Sequence, residues 1–115
     1  MRRLSCAGRW RLGTGLRHAD LAVAGKQVVT VEGLGNAFAP HALQTALIEH
    51  QAGQCGYCLS GIQISASALV ARNPDPTDAD VRAALDKHLC RCGSHNRIVK
   101  AVLSAAHAMH KDAAA

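Results

Sequence analysis

Gln54-Cys55-Gly56-Tyr57-Cys58-Leu59-Ser60-Gly61 and, further along, Leu89-Cys90-Arg91-Cys92-Gly93 gather four of the five cysteines into two tight pairs, a C-x2-C and a C-x-C. Four thiolates converging from two loops form the ligand set of a tetrahedral zinc or of the two irons of a [2Fe-2S] cluster. The one-residue spacer tilts the choice toward iron-sulfur, because neighbouring ligands of a single zinc are commonly two to four residues apart, but zinc stays open. Either pair alone could be inert packing or a thioredoxin-like redox pair, and two pairs in so short a chain, without a βαβ context, weigh against both. An odd cysteine count in this arrangement is poor material for a secreted disulfide framework and points to a reducing compartment, the cytoplasm. Cys6 stands apart with no partner spacing and reads as an incidental thiol.

Working outward, helical periodicity flanks both pairs. Pro40 opens a first helix in which Leu43, Leu47 and His50 recur to about residue 51, and Gly53 ends it. After Cys58, Ile62, Ala66, Leu69 and Val70 trace a second helix that must stop before Asn73-Pro74-Asp75-Pro76. Thr77 with Asp80 resembles a capping box opening a third, with Val81, Ala84, Leu85 and Leu89 on its inner face. A fourth runs from about His95 to His110 on Ile98, Val99, Val102, Leu103 and Ala106. Residues 26–32 are rich in β-branched types and closed by Gly33, which predicts one short strand; it must pair outside the chain or lie extended on the helices. Residues 1–20 show neither period and are expected to be irregular. The expected fold is therefore all-α: a four-helix domain over 39–110, preceded by a basic tail at 1–20 and a strand and linker at 21–38.

Composition agrees. A chain of 115 residues supports a single core, and its alanine-rich apolar half with only 3% aromatics suits close helix packing. The formal charge of +5 is concentrated in residues 1–20, where five arginines face Asp20 alone. The remainder is nearly neutral and carries no electrostatic footprint for nucleic acid. No apolar run spans a bilayer, so no direct membrane insertion is expected. Met1-Arg2-Arg3 is not followed by an apolar stretch, so no targeting segment is read. His107 and His110 share a helix face but read as exposed, and His41, His50 and His95 have no helical partner. No nucleophile-base set, phosphate loop or carboxylate pair is apparent, so no catalytic residue is assigned and any chemistry belongs to a partner.

The surroundings suit an anionic centre. Helix N-termini following Cys58 and Cys92 would each contribute about 0.3–1 kcal/mol. Arg91, Arg97, Lys87 and His88 lie nearby, Lys87 reading as a solvated surface charge, and Gly56, Gly61 and Gly93 allow amides to approach the sulfurs.

Gln54-Cys55-Gly56-Tyr57-Cys58, Asn73-Pro74-Asp75-Pro76-Thr77, Leu89-Cys90-Arg91-Cys92 and Ile98-Val99-Lys100-Ala101-Val102, in this order and spacing, resemble the C-terminal [2Fe-2S]-binding domain of the xanthine dehydrogenase and carbon monoxide dehydrogenase family. The resemblance covers about residues 21–107. It implies a four-helix domain with one cluster on Cys55, Cys58, Cys90 and Cys92, an electron-transfer role, and a molybdopterin held by a separate large subunit. A flavin or cytochrome subunit would lie further along the electron path. Gln54 and Cys92 would face the pterin. Leu59-Ser60-Gly61 and Gly93-Ser94-His95-Asn96 are similar to small subunits of nicotinate and isoquinoline dehydrogenases, which implies an N-heteroaromatic or aldehyde substrate for the complex. The family's small subunits normally begin with a ferredoxin-like domain carrying four more cysteines. Here 22–34 resembles only its last strand and exit linker, which implies a truncated product or a wrongly assigned start. Two other readings stand beside this one: a zinc-stabilised helical interaction module, and a non-functional remnant.

Overall fold

The computed structural model describes residues 3–6, 11–14, 24–25 and 27–115, with side chains from residue 24 onward. Four helices carry the fold: α1 (Ala42–Glu49), α2 (Leu59–Arg72), α3 (Asp78–Leu85) and α4 (His95–Ala114). The four-helix expectation holds, and each boundary has a local cause.

Pro40 lies just outside α1. The N-cap is His41, whose Nδ1 accepts the Leu43 N–H at 3.2 Å while Gln44 Oε1 accepts the His41 N–H at 2.8 Å. This is a reciprocal box built from a histidine and a glutamine. α1 closes before Gly53: Gln51 takes the left-handed conformation with φ 46°, Ala52 N–H donates to the Leu47 carbonyl at 2.9 Å, and Gln51 N–H donates to that of Ile48 at 2.9 Å. That Schellman arrangement satisfies the last carbonyls and tucks Ala52 into the core. The expected glycine stop at Gly53 is thus two residues late.

α2 is buried nearly all round, from Ile62 through Val70, and contacts α1, α3 and the strands. It ends where expected, with Asn73 Oδ1 accepting the Asp75 N–H at 3.2 Å to form the turn into Pro76. The Thr77–Asp80 capping box is present: Thr77 Oγ1 accepts the Asp80 N–H at 3.3 Å, and Asp80 Oδ2 accepts the Thr77 N–H at 2.9 Å. α3 is shorter than expected. It stops at Leu85, and Leu89, assigned to its inner face, is 85% exposed in the following loop. α4 runs four residues past the expected His110.

α1 packs most closely on α4. Leu43, Ile62, Val81, Leu85, Ile98 and Val102 meet in one core and are almost fully buried. At roughly 1.5–3 kcal/mol for burying each such side chain, this core gives the cysteine loops a rigid base.

The expected irregular tail is corrected in part. β1 (Arg3–Cys6) and β2 (Arg11–Thr14) pair antiparallel, with Cys6 opposite Arg11, and β1 also pairs antiparallel with β3 (Val28–Val29), giving a sheet of order β2-β1-β3. The strand expected at 26–32 shrinks to Val28–Val29, followed by a 3-10 turn at Val31–Gly33, and it finds its partner inside the chain. Four-residue strands are too short to show a period of two, and unpaired backbone groups drive pairing regardless of side-chain pattern. The rest of the expected tail, and Lys26 of the expected strand, lie outside the described residues. Among the described residues, no helix is long and apolar enough to cross a membrane.

Candidate cluster-binding site

Two loops rise from the same end of the helical core. The α1–α2 loop carries Cys55 and delivers Cys58 at the N-cap of α2, and the α3–α4 loop carries Cys90 and Cys92 just before Ser94, the N-cap of α4. Gly56 and Gly93, each directly after a cysteine, have φ of 81° and 71°, left-handed angles that turn the chain back on itself. The turns are closed by Leu59 N–H to the Gly56 carbonyl at 3.1 Å and Gly93 N–H to the Cys90 carbonyl at 3.3 Å.

All four expected cysteines are free thiols, and their strongest mutual influence runs in cross-loop pairs: the Cys92 side chain acts on Cys55, and the Cys90 side chain acts on Cys58. Their environments differ. The Tyr57 N–H, followed by the Cys92 side chain, holds Cys55 below the usual thiol range, and the Ser94 N–H does the same for Cys90. Burial, then the neighbouring Cys90 side chain, pushes Cys58 up to about 11. At Cys92 the Cys55 N–H favours the thiolate, but the Cys55 side chain, burial and neighbouring thiolates outweigh it and leave the thiol raised. Backbone amides aimed at sulfur, one sulfur of each pair from each loop, and a helix N-terminus beneath Cys58 suit an anionic centre with two sulfurs per metal. Among the described residues, no three potential ligands converge on a single metal position.

Gln54 and Cys92, expected to face the same group, line one groove of about 1360 Å³ between α1, the start of α4 and the 31–40 segment. Its walls are rich in side-chain amides, among them Gln44, Gln51, Gln63 and Asn96, with Arg97 at the α4 end. Gln63 Oε1 is buried there with no hydrogen-bond partner. Lys87 and Arg91 are exposed, and so are His107 and His110, as expected; His107 sits 3.7 Å from Asp75.

Three residues escaped the sequence reading. His88, expected only as one of the cationic residues near the cysteines, is 8% exposed and shares a 2.6 Å hydrogen bond with the fully buried Ser65 of α2. His95, assigned no partner, donates from Nε2 to the His88 carbonyl at 2.9 Å. Only the placement of one histidine on each side of the C-x-C pair could have hinted at this.

The comparisons agree with the geometry. The chain is 48% identical over 88 residues to a nicotinate dehydrogenase subunit from Pseudomonas putida, covering 76% of this chain and 56% of that protein. It is 48% identical over 84 residues to the alpha subunit of isoquinoline 1-oxidoreductase from Brevundimonas diminuta, covering 73% and 55%. The chain thus spans about half the length of these relatives. Among solved structures, aldehyde oxidoreductase from Desulfovibrio gigas superposes with TM-score 0.88 and 33% identity over 96% of this chain and 12% of that one. Quinoline 2-oxidoreductase from Pseudomonas putida 86 gives TM-score 0.84 and 29% identity over 95% and 67%. Residues 30–103, which contain both cysteine loops and most of the helical core, match the [2Fe-2S] binding domain, and the chain belongs to that family.

Proposed function

We propose that the chain is the electron-transfer subunit of a molybdenum-dependent oxidoreductase, with one [2Fe-2S] cluster held by Cys55, Cys58, Cys90 and Cys92. The cross-loop pairing of the sulfurs carries this reading, because two metals that each take one thiolate from each loop need that arrangement. When bound, the cluster supplies reversible one-electron storage. The chain's own residues hold the four thiolates on a rigid core, direct the Tyr57 and Ser94 amides at sulfur, and partly bury Cys58.

The groove with Gln54 and Cys92 on its wall is the face we assign to the pterin of a molybdopterin-binding large subunit. Its amides offer donors and acceptors to a heteroaromatic edge, and the orphaned Gln63 Oε1 is an acceptor awaiting a donor there. The chain contributes no catalytic residue. The hydroxylation belongs to the partner, with an N-heteroaromatic compound or an aldehyde as substrate, by analogy with the relatives' names. Onward transfer to a flavin or cytochrome subunit, and a cytoplasmic setting that keeps the thiols reduced, complete the proposal.

Anaerobic visible spectroscopy and low-temperature EPR after dithionite, with iron and acid-labile sulfide assays, test it. A red-brown protein with one rhombic S = 1/2 signal and equal iron and sulfide is expected. A colourless protein containing zinc overturns it in favour of the interaction module.

A further inference from the structure

The loop bearing Cys90 and Cys92 is tied down at both ends by contacts outside the sulfur shell. His88 stands two residues before Cys90, His95 three residues after Cys92, and the His95 ring reaches back seven residues to the His88 carbonyl at 2.9 Å. That bond closes the segment 88–95 into a ring enclosing both cysteines. The His88 side chain then runs inward to Ser65 Oγ at 2.6 Å, where Ser65 is wholly buried on α2. α2 is also the helix whose N-cap is Cys58, two turns before Ser65. A continuous path, Cys58 to α2 to Ser65 to His88 to His95, therefore links one half of the ligand set to the other without passing through sulfur.

We propose that Ser65, His88 and His95 are positioning residues: a hydrogen-bonded strut that sets the separation and orientation of Cys90 and Cys92 relative to Cys55 and Cys58. The physical ground is cost. α3 ends at Leu85, so only short turns hold residues 86–94, with Leu89 and Arg91 out in solvent. A loop of this kind has many accessible conformations, and ordering it costs about 1–2 kcal/mol per residue. A wholly buried serine is unfavourable unless it is hydrogen-bonded, and His88 supplies such a bond. The strut thus serves as outer-shell support of the kind whose removal weakens a metal site by about 10–100-fold. The assignment rests on the ligand reading above.

The test uses the full chain with Ser65→Ala and His95→Phe, with His95→Gln as the conservative replacement that retains a donor, and Val70→Ala as a buried α2 control away from the loop. In loaded protein, cluster loss to a chelator should be about 10-fold faster in Ser65→Ala and His95→Phe, with a broadened EPR spectrum. His95→Gln should restore most of both, and Val70→Ala should lower the melting temperature while changing neither. In protein stripped of metal, amide hydrogen exchange at Arg91 to Gly93 should quicken by a similar factor in His95→Phe and not in Val70→Ala. Unchanged release, spectrum and exchange in the strut variants would overturn the proposal, as would the same changes in Val70→Ala at equal loss of melting temperature. Absence of iron and sulfide from the unmodified protein would overturn the ligand reading instead, and the exchange measurement would still decide the strut.

Discussion

Cys58, at the N-cap of α2, is raised to about 11 by burial and then by the Cys90 side chain from the α3–α4 loop, while Cys90 is held low by the Ser94 amide. Two neighbouring thiols are thus prepared differently. Cys55 combines a lowered pKa with exposure. The thiolate is the reactive form, so in metal-free protein at neutral pH an alkylating reagent should label Cys55 first and Cys58 last. Peptide mass spectrometry over a time course reads the order directly, and early labelling of Cys58 would contradict the arrangement.

The His41 cap makes α1 sensitive to acid. Half-burial lowers the His41 pKa, and its Nδ1 must stay unprotonated to accept the Leu43 N–H. The folded chain then binds fewer protons than the unfolded chain, so this contribution is present above the ordinary histidine value. It is lost as pH falls from there through the lowered folded value. Urea midpoints should decline between about pH 7 and about pH 5, and His41→Asn, which caps without titrating, should flatten that decline.

At the start of α3, the Thr77 N–H and then its hydroxyl hold the Asp80 carboxylate below the usual range. The stabilisation is present above the ordinary carboxylate value and disappears as pH falls through the lowered one. Thr77→Ala should cost about 1 kcal/mol at neutral pH. In thermal melts, Asp80→Asn should remove the part of the acid dependence that falls in the carboxylate range and leave the His41 part unchanged.

Left-handed backbone predicts opposite effects at two sites. Gln51 ends α1 with φ 46°, where glycine is unstrained, so Gln51→Gly should raise stability by about 1 kcal/mol. Gly93 has φ 71° and open space where a Cβ would stand, so Gly93→Ala should cost about 1–2 kcal/mol through backbone strain alone. Because Gly93 follows Cys92, iron should also be released faster from Gly93→Ala, with Gly93→Asn recovering part of the loss. Denaturant unfolding and chelator-driven bleaching measure the two effects.

The four helices and the cysteine set were legible in the sequence because both rest on local spacing. Ile98, Val99 and Val102 repeat at the helical period, Thr77 and Asp80 satisfy each other within one turn, Asn73-Pro74 forbids continuation of α2, and cysteine pairs advertise ligation at any distance. What misled was local too. Gly53 looked like the stop, but Gln51 took the left-handed position, and Leu89 matched the α3 stripe although the helix had already ended. The pairing of β3 with β1, the placing of Cys55 beside Cys92 and Cys58 beside Cys90, and the burial of His88 against Ser65 all unite residues far apart in the chain. Such contacts depend on how the helices pack, and no spacing rule encodes that packing. The sequence by itself determined the four helices and singled out four cysteines as candidate ligands, because both rest on local spacing; only the tertiary structure decided how the first strands pair, which cysteine lies beside which and what holds their loops in place.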